Sequence, residues 1–132
     1  MHSTNYIATL ITPAPDCPAK YGTAPPKAGT IAALQYRLLA EAPYAMTSDD
    51  LLWAVRCART AGDRADAVAR AAFFAVPMAC LRASPLVKTY GWGLHHDAAA
   101  RVALVGAETA AFSHLQNDPA LTQRPEMRRA RA

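Results

Sequence analysis

Tyr90-Gly91-Trp92-Gly93-Leu94-His95-His96 alternates in character residue by residue, and Arg101–Val105 follows it across a turn at Asp97–Ala100. Successive side chains of a strand point to opposite faces, so Tyr90, Trp92, Leu94 and His96 share one face and Gly91, Gly93 and His95 the other. The two runs read as a β-hairpin with a four-residue loop, although the Asn-Gly dipeptide that marks the tightest hairpins is missing. Gly106 closes the second strand, and Glu108–Leu115 follows as a short helix with Phe112 and Leu115 inward.

Upstream of the hairpin the pattern changes. Asn5–Ile11 mixes aromatic and β-branched residues and stops at Pro13 and Pro15, which reads as a strand, half-buried or near a sheet edge. Thr12–Gly29 holds five prolines and two glycines, so it reads as a long loop with no regular element. Thr30–Ala42 repeats apolar residues at helical spacing and ends at Pro43. Thr47-Ser48-Asp49-Asp50 opens a second helix running to Gly62, with a hydroxyl cap and acids at the positive end of the helix dipole. Asp63–Ala75 reads as a third, alanine-rich helix with Val68, Ala71 and Ala72 inward. Ala79–Leu86 has no firm assignment. Helices clustered before a hairpin, rather than alternating with strands, predict an α+β fold. It is a small antiparallel sheet, made of the N-terminal strand and the C-terminal hairpin, with about four helices mainly on one face.

The 132 residues, 52% hydrophobic and 18% charged, suit one globular domain over 1–119. Residues 120–132 read as a basic, frayed tail. Arg124, Arg128, Arg129 and Arg131 there oppose only Glu126, so the tail carries +3 of the net +4 and the body just +1. A nearly neutral body is not the broad positive face that nucleic acid requires, so nucleic acid is not expected as a partner. Three cysteines without CxxC spacing, no signal-peptide pattern and no span-length apolar run predict a cytoplasmic protein without a membrane partner. An assembly of identical copies is compatible with the sequence.

Polar chemistry is densest between Cys80 and Arg101. Arg82, Ser84, Lys88, Trp92 and His95 form the candidate ligand set, with the bare Gly91/Gly93 face giving a ligand room to approach. In that reading Arg82 clamps an anion, Lys88 adds a point charge, Ser84 makes a hydrogen bond, Trp92 stacks and His95 tunes the site. The plainer reading weighs more: Gly-x-Gly marks twist or close packing, Trp92 belongs to the core, and Arg82 and Lys88 are surface charges. Cys80 and His95 are the weaker catalytic candidates, as a thiol nucleophile and its base in a hydrolase or transferase. Cys17, next to Asp16 in the loop, reads as exposed and unreactive, and Cys57 as core. His95 and His96 point to opposite faces and no zinc spacing is present, so no metal and no cofactor are expected; one of the pair is expected to cap the hairpin loop. A protein-interaction module using the Thr12–Gly29 loop and the tail is a third reading.

The chain resembles DUF6157, a family of small bacterial proteins of unknown function, over nearly its whole length. The resemblance rests on His2-Ser3-Thr4-Asn5-Tyr6, Asp16-Cys17-Pro18, Pro43-Tyr44, Thr47-Ser48-Asp49-Asp50, Cys80–Leu86, Tyr90-Gly91-Trp92-Gly93 and His95. It implies a stand-alone domain of bacterial origin and carries over no activity, cofactor or catalytic residue. Taken together, these features predict a small binding protein for an anionic or polar small molecule near the Cys80–Arg101 segment.

Overall fold

The computed structural model of the chain describes residues 3–125. Ten elements follow one another: β1 (Thr9–Thr12), α1 (Ile31–Glu41), α2 (Ser48–Thr60), α3 (Ala67–Phe73), a 3-10 turn (Leu81–Ala83), α4 (Pro85–Lys88), β2 (Trp92–His96), β3 (Val102–Gly106), α5 (Ala110–Gln116) and β4 (Thr122–Pro125). They build one four-stranded sheet of order β3-β2-β1-β4. β1 runs antiparallel to β2, pairing Leu10 with His95, and parallel to β4. The α+β architecture, with its N-terminal strand beside a C-terminal hairpin, is as the sequence predicts, but the sheet is mixed rather than antiparallel, because β4 joins β1 in parallel and makes β1 an interior strand.

Two apolar layers sandwich the sheet. Ile11, Leu94 and Val102 face α1, α2 and α4 through Leu39, Leu51, Val55, Leu86 and Val87. On the other face Leu10 and Val105 meet Phe112 of α5. A third cluster, Trp53, Cys57 and Phe74, ties α2 to the residues after α3. Each helix starts at a hydroxyl or carboxylate cap: Thr30, Thr47, Asp66, Ser84 and Thr109 each accept a backbone N–H. At α2 the Asp50 side chain also reaches back to the Thr47 amide, completing a reciprocal capping box.

Several expectations need correction. Val68, Ala71 and Ala72 do not face inward; α3 buries none of its residues and Val68 is 82% exposed. Alanines bury too little surface to hold a seven-residue helix down, and Phe73 and Phe74 at its end do so instead. Cys17 is buried rather than exposed, and its thiol donates to the Ala19 carbonyl at 3.3 Å. The long loop around it lies on the domain, bonded through Ala14 N to Val87 O and Thr23 N to Tyr90 O. The hairpin loop spans 97–101 and is organised by Asp97, whose Oδ1 accepts from the amides of Ala99 and Arg101, and not by a histidine. β4 takes up residues 122–125 of the segment read as a basic tail; residues 126–132 lie outside the described residues. Its four residues are all exposed, so no apolar alternation announces it, and it is held by backbone pairing to β1.

Asp49 does what local reading does not foresee. Its buried carboxylate accepts from Thr4 N at 2.7 Å, Thr4 Oγ1 at 2.7 Å and Ser3 Oγ at 3.0 Å, while its own amide donates to Asn5 Oδ1 at 2.9 Å. The start of α2 thereby grips the N-terminal segment just before β1. Replacing Asp49 by alanine strands buried donors, so Asp49→Ala is expected to cost roughly 3 kcal/mol in urea unfolding. Asp50→Ala, which loses the partly exposed capping-box partner, is expected to cost roughly 1 kcal/mol. Equal losses would show that the clamp adds nothing beyond capping.

Candidate functional site

The residues with exposed or unusual chemistry gather at the β4 side of the sheet. Tyr6 stands between the Asp49 clamp and β1, and its hydroxyl lies 3.1 Å from the Cys80 thiol. Its ring meets the His96 imidazole edge-on at 5.5 Å. Arg82, in the turn after Cys80, donates Nε–H to the Pro125 carbonyl at 2.9 Å, which joins that turn to the end of β4. The next residue back, Arg124, holds its guanidinium 6.0 Å from the Tyr6 ring centre. Burial, followed by the hydrogen bond and charge of Cys80, pushes the Tyr6 hydroxyl above its usual pKa, and the Arg82 and Arg124 cations oppose that. The phenol therefore keeps its proton at neutral pH and can donate it in a hydrogen bond.

His96 lies beneath this cluster, fully buried, and neither ring nitrogen has a hydrogen-bond partner among the described residues. Burial pushes its pKa down to about 4; the polar backbone of Leu94 and Thr9 offsets part of this, while neighbouring His95 adds to it. His95 faces the other side of the sheet. Its Nδ1 lies 2.7 Å from the Tyr44 hydroxyl, and the two rings meet edge-on at 5.5 Å. Burial lowers the His95 pKa against the pull of Asp97 and Asp118, and burial together with Asp97 raises that of Tyr44.

The structure scatters the set drawn from the sequence. Among the described residues no hydrogen bond, ion pair or ring contact joins any two of Arg82, Ser84, Lys88, Trp92 and His95. Arg82 sits at the Tyr6 cluster. Ser84 is buried, capping α4 through Leu86 N and donating to Gln35 Oε1 at 2.6 Å. Lys88 closes α4. Trp92 packs against Tyr36 at 5.7 Å, and its indole N–H donates to the Thr23 carbonyl at 2.9 Å. The bare strand face is filled by the chain itself. Gly91, at φ +76°, lies under the Tyr21 carbonyl, and a β-carbon on Gly93 would come within 2.6 Å of the Phe112 ring. Cys80 contacts Tyr6 rather than His95, which lies across the sheet. His2 is outside the described residues.

Local pattern misses Tyr6 and Arg124, because each stands next to a partner distant in sequence. The one available signal was Tyr6 closing the His2–Tyr6 run that carries the family resemblance. Among the described residues no three histidine, cysteine, aspartate or glutamate side chains are grouped to hold a metal ion, and no helix is long and apolar enough to cross a membrane.

These features belong to a one-sheet α+β domain with a cationic phenol–thiol cluster at its β4 end. The chain is a member of DUF6157, a family of unknown function whose profile matches residues 1–132. No curated protein and no solved structure matches it.

The buried imidazole makes a pH prediction with a definite sign. An unfolded chain protonates His96 below its ordinary pKa of 6.5, while the folded protein keeps the ring neutral until about pH 4. The unfolded state then binds more protons, so stability falls as pH drops through this window, by on the order of 3 kcal/mol for this residue. Urea unfolding at pH 7 and pH 4.5 should show that loss in the wild type and a smaller one in His96→Leu. His95 contributes with the same sign to both proteins, so the difference isolates His96. Parallel losses would mean that the ring titrates normally.

Proposed function

We propose that the protein binds a small anionic ligand at the cluster of Tyr6, Cys80, Arg82 and Arg124. The observation that carries this reading is the approach of two arginines to one hydroxyl–thiol pair. Both cations are close enough to act electrostatically on the Tyr6 hydroxyl. The only ion pair among the described residues joins Arg70 to Asp50, so neither guanidinium is neutralised there by a carboxylate. Among the described residues Arg82 spends only its Nε–H, on Pro125, which leaves both terminal amino groups open to an oxyanion. Fork-shaped guanidinium recognition suits carboxylate and phosphate oxygens, and the protonated Tyr6 hydroxyl supplies a neutral donor beside the charges.

The site is narrower than the one read from the sequence. Arg82 stays in it as the anion clamp. Ser84 and Trp92 serve the fold through the hydrogen bonds already described, and His95 is occupied with Tyr44. Tyr6 and Arg124 take their place, contributed by the N-terminal segment and the last strand. The Cys80 thiol, half-buried against the phenol, belongs to this cluster rather than to a Cys–His pair.

Inorganic phosphate is the simplest probe. Titrated into 15N-labelled protein, it is expected to shift the Arg82 Nε–H and the Tyr6 and Cys80 amide signals saturably at millimolar concentration. Arg82→Lys, which keeps the charge but loses the fork, and Arg124→Gln should each weaken the apparent affinity about tenfold, the equivalent of one charge-assisted hydrogen bond. Shifts that never saturate, or that ignore both substitutions, would remove the assignment.

A further inference from the structure

A second region shares no residue with the Tyr6 cluster. Between α1, α2 and the stretch 73–79 lies a cavity of about 500 Å³, within the range of small-molecule sites. Leu52, Val55, Phe73 and Met78 make its wall apolar. Polar groups are few and placed differently. Gln35 is almost fully buried, and its Oε1 accepts from Ser84 Oγ at 2.6 Å, which leaves the amide nitrogen as its remaining donor. Arg56 and Arg59 are exposed at the rim. Three residues apart on α2, they lie on neighbouring positions of one helical face. The Arg56 guanidinium stands 6.0 Å from the centre of the Phe73 ring, which keeps this exposed cation beside the cavity.

Among the described residues neither arginine is ion-paired. A neighbouring cavity of about 410 Å³ shares Arg56, Thr60 and Phe73 but is also lined by Asp63 and Asp66. An anion is therefore favoured on the Gln35 side of that shared wall and opposed on the other. An apolar wall, an amide donor and two rim cations together complement a molecule with an apolar body and a single negative end.

We infer that this cavity binds an amphipathic organic carboxylate, its hydrocarbon part against Leu52, Val55 and Met78 and its carboxylate between Arg56 and Arg59. The fit rests on charge and shape alone and does not depend on the phosphate site.

Decanoate is the probe, below the concentration at which it self-associates, with decanol and decylammonium as matched controls, measured by calorimetry on the whole chain. The expected result is one saturable decanoate per chain, with decanol at least tenfold weaker and decylammonium weaker still. Arg56→Gln with Arg59→Gln should weaken decanoate about tenfold or more while leaving decanol unchanged. Both positions are exposed, so this variant should fold, and its melting temperature checks that. Leu52→Trp, which fills the cavity, should reduce decanoate and decanol together. Arg82→Lys should leave decanoate binding as it is, which separates this site from the phosphate cluster. Decanol binding as tightly as decanoate, several decanoates per chain, or indifference to the arginine substitutions would each overturn the inference.

Discussion

A four-residue strand has to hold the middle of this sheet, and it does so because the chain before it is tied down. β1 pairs on both sides, with β2 and with β4. Four residues of ladder are a weak anchor for a central strand. The Asp49 carboxylate makes good the shortfall by gathering the hydroxyl and amide groups of Ser3 and Thr4 at the start of α2. A buried carboxylate needs donors to repay its desolvation, and the buried amide and hydroxyl of Thr4 need an acceptor. Each meets the other's requirement. The clamp also sets Tyr6 at a fixed distance from β1, which places its ring over His96 and its hydroxyl at Cys80.

The candidate chemistry is a consequence of that geometry. Tyr6 arrives from the N-terminal segment, Cys80 and Arg82 from the connection before α4, and Arg124 from the last strand. None of the three segments carries a site alone. The Arg82–Pro125 hydrogen bond closes the circuit by pinning the turn to β4. By contrast, the chemistry-rich stretch from Ser84 to His95 is largely consumed in folding. The Thr12–Gly29 loop lies over Trp92 and Gly91, and α5 lies over Gly93. Glycine at these two positions admits backbone and ring where a side chain would collide, so the open face expected of the strand becomes a packing face.

Much of the architecture was readable because it is written in local rules. Hydroxyl caps opened α1 and α2, Pro43 and Gly62 marked where they end, and the period-two alternation marked the hairpin. Capping also explained Asp50, since its partner Thr47 is three residues away. Asp49 looked like more of the same, yet its partners lie about 45 residues off. β4 escaped notice because Thr-Gln-Arg-Pro buries nothing, and a strand held by its backbone leaves no imprint on side-chain pattern. The inward face assigned to α3 failed for the opposite reason. Alanine repeats imitate an apolar stripe while offering little surface to bury.

What the sequence by itself determined is most of the elements (β1, α1, α2, the β2–β3 hairpin and α5), the one-sheet α+β class and membership of a family with no assigned activity. These follow from spacing, capping and turn chemistry, which act over a few residues. Which side chains meet was decided by the tertiary structure alone. The pairing of Tyr6 with Cys80, the approach of Arg82 and Arg124, the burial of His96 with no hydrogen-bond partner among the described residues and the cavity beside α2 all depend on segments far apart in the chain. The positions of Tyr6, Arg124 and His96 follow from the strand order β3-β2-β1-β4, and the cavity from the packing of α1, α2 and residues 73–79, both of them products of long-range burial and backbone pairing.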